Sequence, residues 1–258
     1  MLVDAHAHLD DPVLLGFARK ITFPQVELTV ITNSVDVESS ERNIELGKSS
    51  PKIIPFVGIH PEIFRGEDKL RLNIEMMIQT VSSLASASKG IGEIGMDPKY
   101  GHIESQEPIF LSMLSLAERT GLPVSIHSRD SVPRIIEILS TFNLKGSILF
   151  HWFAGSDSEL VGLRDRGIFI SYGPAILFSK RMGKLVEESE NELIISETDS
   201  PTAYSSLGLD KSSPFLIATT VFKLSLIKKK PFPEMEQILW ENVSKYLRTQ
   251  TSLRVKEK

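Results

Sequence analysis

Short apolar, β-branched runs recur along this chain at residues 2–7, 26–32, 53–59, 90–94, 122–127, 147–151, 168–172 and 193–198. Their starts lie about 27 residues apart on average, roughly the length of one βα unit. Helical patterns fill the gaps. Residues 36–49 open with Asp36 as an N-cap candidate and close near Ser49-Ser50-Pro51. Residues 105–120 place Phe110, Met113, Leu114 and Ala117 at helical spacing, with Gly121 just past the end. Residues 131–142, 156–166, 180–189, 212–228 and 233–248 read similarly, the last with Pro233 near its start. Strands that alternate with helices predict a parallel sheet covered by helices. Eight such units in 258 residues fit an α/β fold of the (β/α)8 TIM barrel type, which ordinarily takes about 250 residues. No linker, low-complexity tract or short-period repeat divides the chain, so residues 1–258 read as a single domain. An open doubly wound sheet is the alternative, but it would spread apart the polar residues that end strands one, four, five, six and eight.

Those polar residues are the chemical signal. His6 and His8 stand two apart at the end of the first run, and strand side chains alternate faces with a period of two. Both imidazoles therefore point the same way. His60, His127 and His151 each follow an apolar run and precede Pro, Ser or an aromatic pair, whereas His102 has no clear strand before it. Glu93 ends Gly90-Ile91-Gly92-Glu93, and Glu197 and Asp199 end Leu193-Ile194-Ile195-Ser196-Glu197-Thr198-Asp199. Carboxylates among apolar strand residues are costly to bury unless paired or metal-bound. Glu197 and Asp199, two apart, are expected on one face, where their mutual repulsion calls for a cation or a shared proton.

Composition narrows the chemistry. The chain has no cysteine, which excludes disulfides and thiolate metal sites and leaves nitrogen and oxygen ligands. A hydrophobic share of 41% and a charged share of 24% are globular values that argue against disorder. No apolar run reaches membrane-spanning length and no signal-peptide pattern is visible, so a cytoplasmic protein without a membrane role is expected. A net charge of −4 argues against a protein that coats duplex DNA with a broad basic surface. It leaves room for a nuclease, in which a metal centre and a few local cations attract a phosphodiester.

If the strands close into a barrel, His6, His8, Glu93, His127, His151 and Asp199 converge on one face. Four imidazoles and two carboxylates suit two divalent ions that share a bridging carboxylate. Glu93, between the early and late ligands in strand order, is the best bridge. The donor set admits Mg, Mn or Zn and does not by itself choose among them.

Asp4-Ala5-His6-Ala7-His8-Leu9, Val57-Gly58-Ile59-His60-Pro61, Gly92-Glu93-Ile94-Gly95-Met96-Asp97, Pro123 to Asp130 (PVSIHSRD), His151-Trp152-Phe153-Ala154-Gly155 and Glu197-Thr198-Asp199-Ser200-Pro201 resemble, in order, the successive motifs of the TatD family. These are metal-dependent deoxyribonucleases of the amidohydrolase superfamily. Glu241-Asn242-Val243 resembles the family's C-terminal helix. The resemblance implies a (β/α)8 barrel. It also implies one ion on His6, His8 and Asp199, a second on His127 and His151, and Glu93 between them. It implies hydrolysis of phosphodiesters in DNA, often from a 3′ end, with His60 contacting phosphate or assisting proton transfer and Arg129 clamping phosphate. Two departures bear on substrate contacts. Met96-Asp97-Pro98 lacks the family's usual aromatic residue, for which Tyr100 could compensate, and Asp210-Lys211-Ser212-Ser213-Pro214 lacks its Arg-Asn-x-Pro segment.

The chemistry expected of such a site is attack by a water made acidic by divalent metal, with Asp199 as ligand and general base and Glu93 as the second catalytic carboxylate. Rival readings are hydrolysis of a lactone, amide or phosphotriester by a related barrel, and a non-catalytic scaffold that keeps the fold. Related barrels often bridge their ions with a modified lysine on strand four. Glu93 at that position favours the nuclease-like reading. Trp152 and Phe153 are expected mainly as core, with base stacking as the alternative. Lys228-Lys229-Lys230 is expected to be a solvated helix end, and no obligate protein partner is implied.

Overall fold

A computed structural model of the chain describes residues 1–22, 25, 27–65 and 73–247. Eight strands lie side by side in chain order: β1 (Leu2–Ala7), β2 (Leu28–Thr32), β3 (Ile53–Val57), β4 (Gly90–Gly95), β5 (Val124–His127), β6 (Ile148–Phe150), β7 (Phe169–Tyr172) and β8 (Ile194–Ser196). Every neighbouring pair is parallel. Beyond β8, the backbone at Asp199 and Ser200 meets β1. Asp199 N–H donates to the His6 carbonyl at 2.8 Å, and His8 N–H donates to the Ser200 carbonyl at 2.7 Å. The barrel is thus closed by the segment that carries Asp199.

Nine α-helices occur among the described residues: α1 (Leu15–Ile21), α2 (Val37–Ser49), α3 (Ile74–Leu84), α4 (Ile103–Thr120), α5 (Val132–Leu139), α6 (Asp157–Arg164), α7 (Lys180–Glu188), α8 (Ile217–Ile227) and α9 (Phe232–Tyr246). Local chemistry sets several ends. Asp36 caps α2 through a reciprocal pair of hydrogen bonds with Ser39, and Ser156 does the same for α6 with Glu159. Gly121 ends α4 in the left-handed conformation that glycine adopts without penalty. All eight predicted strands are present, though several are shorter at the C-terminal end. The predicted strand start at residue 26 and helix end at residue 248 lie outside the described residues. Helices α1 and α3 were not expected from the sequence. No helix of the described residues is long and apolar enough to cross a membrane.

Two apolar layers hold the barrel. Val3, Ala5, Ile31, Phe56, Leu149 and Phe169 fill its interior, where Tyr246 of α9 stands 6.0 Å from both the Phe56 and Phe169 rings. Alternate residues such as Val30, Val57, Ile126 and Ile170 face outward against the helices. Asn242, in the predicted helix motif, donates its side-chain amide to the carbonyls of Asn191 and Ile194, which ties α9 to the start of β8. Lys228 differs from the solvated lysine expected there. Its ammonium donates to the carbonyls of Val186, Glu187 and Ser189 and so caps the end of α7.

Candidate active site

Strict alternation would not deliver the first candidate ligands to the barrel interior. Val3 and Ala5 already face inward, so a regular β1 would send His6 out to the helices. Ile91 and Ile94 both face outward, so a regular β4 would send Glu93 with Ile91. Both strands break register where it matters, β1 between Asp4 and Ala7 and β4 between Ile91 and Ile94. Such irregularities re-aim side chains beside functional sites. Here they turn His6 and Glu93 inward. Glycines make room for the displaced strand. A Cβ on Gly58 would stand 2.7 Å from the Glu93 carbonyl oxygen, and Gly95, with φ +153°, would place one 2.0 Å from the His127 carbonyl oxygen.

Glu93 is the hub. Its Oε2 lies 3.1 Å from His6 Nε2 and 3.4 Å from His8 Nε2. Its Oε1 lies 2.7 Å from His151 Nε2, 2.8 Å from His127 Nδ1 and 3.3 Å from His60 Nε2. Asp199 Oδ1 joins the first set, 3.3 Å from His8 Nε2 and 3.8 Å from His6 Nε2. Two donors about 2.1 Å from one ion, at tetrahedral or octahedral angles, stand roughly 3.0–3.4 Å apart. Most of these spacings fall in or near that range, and three groups of donors are spaced to hold a divalent ion: His6, Glu93 and His151; His6, His8 and Asp199; and His60, Glu93 and His127.

A further layer of residues fixes the imidazoles. His6 Nδ1 pairs with Ser125 Oγ at 3.1 Å, and His8 Nδ1 donates to the Asn33 carbonyl at 3.1 Å. His127 Nε2 meets Asp97 Oδ2 at 2.9 Å, and Thr202 donates to Asp199 Oδ2 at 3.0 Å. These contacts leave His6 Nε2, His8 Nε2 and His127 Nδ1 facing the carboxylates, the arrangement that outer partners impose on metal-binding histidines. Asp4 accepts from the Thr198 backbone and hydroxyl and from His6 N–H, which binds β1 to the loop ahead of Asp199. Sequence reasoning missed all these outer partners. Asp97 and Asp4 alone carried a signal, as carboxylates just past and within apolar strands.

The electrostatics reflect carboxylates and imidazoles crowded together in a buried site. Burial works against charge on His8, but Asp199 and Glu93 override it and push the imidazole up to about 10. His127 is likewise carried against burial to about 9 by Asp97 and Glu93. Burial and the nearby His151 hold His6 down to about 4. Glu93 and Asp199 resist the upward push of burial and lie below the usual carboxylate range, held there by the surrounding imidazoles. Burial lifts Glu197 to about 7 against the pull of His151.

The other expected residues divide. His60 Nδ1 accepts the Glu62 N–H at 3.1 Å and so caps the short turn Pro61–Phe64. A neutral imidazole that accepts at Nδ1 carries its proton on Nε2. His60 therefore presents a donor to the site, and that nitrogen has no hydrogen-bond partner among the described residues. Arg129 is 53% exposed, and its acidic neighbour is Asp97 at 3.9 Å, not Asp130 or Glu93. Glu197 and Asp199 do not share a strand face. β8 stops at Ser196, and Asp199 has φ +47°. Glu197 instead accepts from Ser171 and approaches His151 Nδ1 at 3.8 Å. Phe153 is buried in the core, whereas Trp152 lines the cleft. His102 flanks α4 on the exposed side, as its missing strand suggested.

The site opens into a cleft of about 790 Å³. Lys99, Arg129 and Arg181 line it. Among the described residues no carboxylate lies within ion-pair distance of Lys99 or Arg181, although Asp10, Asp11, Glu62, Asp130 and Glu159 line the same cleft. Imidazoles and carboxylates converging at the C-terminal mouth of a parallel eight-stranded barrel define a metal-dependent hydrolase. The chain belongs, more particularly, to the TatD-related DNase family, whose sequence model matches residues 3–248. It is 31% identical over 259 residues to an uncharacterized metal-dependent hydrolase of Mycoplasma genitalium, covering 94% of this chain and 97% of that one. It is 26% identical over 262 residues to human deoxyribonuclease TATDN3, covering 95% and 93%. The crystal structure of the TatD homologue YjjV of Escherichia coli superposes with a TM-score of 0.85 at 21% identity, over 96% of this chain and 98% of that one.

Proposed function

We infer that this protein hydrolyses phosphodiester bonds in DNA, with two divalent ions, Mg, Mn or Zn, held on either side of Glu93. The observation that carries the reading is the division of the Glu93 carboxylate, one oxygen facing His6 and His8, the other facing His127 and His151. In this reading His6, His8 and Asp199 hold the first ion and His127 and His151 the second. The ions would supply Lewis acidity to the phosphoryl oxygens and acidify a nucleophilic water. Asp199, ionised and steadied by Thr202, takes the water's proton as general base. Glu93 keeps the two imidazole sets at a fixed separation. His60 donates its Nε2 proton to a phosphate oxygen, since its other nitrogen is occupied. Arg129, exposed at the cleft mouth, clamps the next phosphate along the strand. Action from a 3′ end enters this reading from the TatD family membership. An intracellular setting agrees with the absence of cysteine.

Purified protein supplied with Mg, Mn or Zn and offered 5′-labelled single-stranded DNA, a bis-aryl phosphodiester and a lactone panel tests the reading. The expected result is stepwise shortening of the DNA from its 3′ end and turnover of the diester. Turnover of lactones with no cleavage of either diester would overturn it.

A further inference from the structure

Trp152 holds a backbone conformation that bulky residues avoid, with φ +43°. Such strain persists where the surroundings fix it, often at ligand sites. The surroundings here do fix it. Trp152 N–H donates to Ser171 Oγ at 3.2 Å, and the next residue, Phe153, donates to the Ser171 carbonyl at 3.1 Å. The indole then lies nearly parallel to the Tyr204 ring, with centroids 5.6 Å apart and planes 16° apart. Tyr204 is itself immobilised, buried to 2% exposure with its hydroxyl donating to the Thr198 carbonyl at 2.7 Å. The result is a rigid two-ring stack whose outer member, Trp152, lines the cleft directly after His151. Phe153 fills the core, whereas Trp152 only packs against its edge and remains partly exposed to the cleft. Three residues on, the Gly155 carbonyl accepts from Arg181 Nη2 at 2.9 Å, which brings a guanidinium to the same loop.

We propose that Trp152 is a stacking platform for a nucleobase of the substrate, the base next to the phosphate that is cut. This rests on the phosphodiesterase reading and adds a specificity element to it. A planar heteroaromatic ring of any sequence satisfies an indole face, so the platform distinguishes base-bearing strands from abasic ones and favours the larger purines. Arg181 supplies a cation for the phosphate of that same nucleotide. The cleft, about 790 Å³, lies within the roughly 300–1,000 Å³ of small-ligand sites and has room for a nucleotide.

The chain has two tryptophans, and the other, Trp240, lies on α9. Trp240→Phe therefore leaves Trp152 as the sole indole reporter, and wild-type protein provides the same comparison over a constant background. The probes are deoxyadenosine monophosphate and deoxyribose 5-phosphate, neither of which contains a phosphodiester bond. The expected result is saturable quenching by the nucleotide and none by the sugar phosphate. Equal quenching by both, or none by either, overturns the proposal. In parallel, Trp152→Ala is assayed on a base-bearing strand and on one with an abasic 3′-terminal nucleotide. Loss of one base stack predicts that the ratio of kcat/KM values, base-bearing over abasic, falls about 10- to 100-fold, with Trp152→Phe restoring much of it. An unchanged ratio overturns the proposal even if both rates fall, since that pattern marks a structural role. Nucleotide quenching without cleavage of either strand would uphold the platform and reject the phosphodiesterase reading.

Discussion

At the residue scale the site is a set of competing charges, and two predictions follow from how they are balanced. His8 and His127, at about 10 and about 9, keep protons at neutral pH while the carboxylates around them stay ionised. A divalent ion and a proton compete for the same nitrogen. Both folded pKa values lie above 7, so metal uptake at pH 7 should release protons, and apparent affinity should rise with pH up to that range and fall below it. Calorimetry in buffers of different ionisation enthalpy measures the release; an affinity flat between pH 6 and 9 would contradict it. Asp199→Asn keeps the size and one ligating oxygen but removes the charge that accepts a proton. Turnover should fall about 100- to 10,000-fold. Because weaker metal binding could imitate that loss, metal content and single-turnover rate belong on one sample, where a fully loaded variant at near-normal rate would reject the base role. The residues named from sequence were those whose type is unusual in a strand, such as His6 and Glu93. Ser125, Asn33 and Thr202 escaped notice because a serine, a backbone carbonyl and a threonine are ordinary in any chain; only their placement makes them orienting groups.

At the element scale the strands were legible because an apolar run of four to six residues between turn residues reads directly as a buried parallel strand. α3 is legible too, with Ile74, Met77, Ile78 and Val81 at helical spacing behind an Asn73 cap. α1 carries less signal, having seven residues and no side-chain cap. The register breaks in β1 and β4 could not be read, since nothing in Asp4-Ala5-His6-Ala7 or Ile91-Gly92-Glu93-Ile94 distinguishes a bulge from regular alternation. Alternation assigned His6 and His8 a common face, and the irregular strand brings both to Glu93 by another route. Gly95 tests this local geometry. A methyl group there would meet the His127 carbonyl in a conformation closed to other residues. Gly95→Ala should destabilise the fold by about 2–5 kcal/mol through strain and overpacking, measured by denaturant unfolding; a change below about 0.5 kcal/mol would show that β4 relaxes freely.

At the scale of the whole molecule, the barrel accounts for how candidate ligands from β1, β4, β5, β6 and the loop after β8 meet. It also separates folding from metal binding, because the interior and outer apolar layers lie apart from the ligand atoms. His127→Ala combined with His151→Ala should therefore remain folded while losing chiefly one ion, with the other kept by His6, His8 and Asp199. Elemental analysis that still finds two ions per chain would contradict the division at Glu93. The central claim is that the protein cleaves phosphodiesters by means of metal, and one measurement addresses it most directly. Protein stripped of metal, with removal verified, is assayed on labelled single-stranded DNA before and after addition of Mn, Mg or Zn. The account predicts no cleavage by the stripped protein and recovery as ions are restored. Full turnover without metal, or no cleavage by the fully loaded protein, would contradict it.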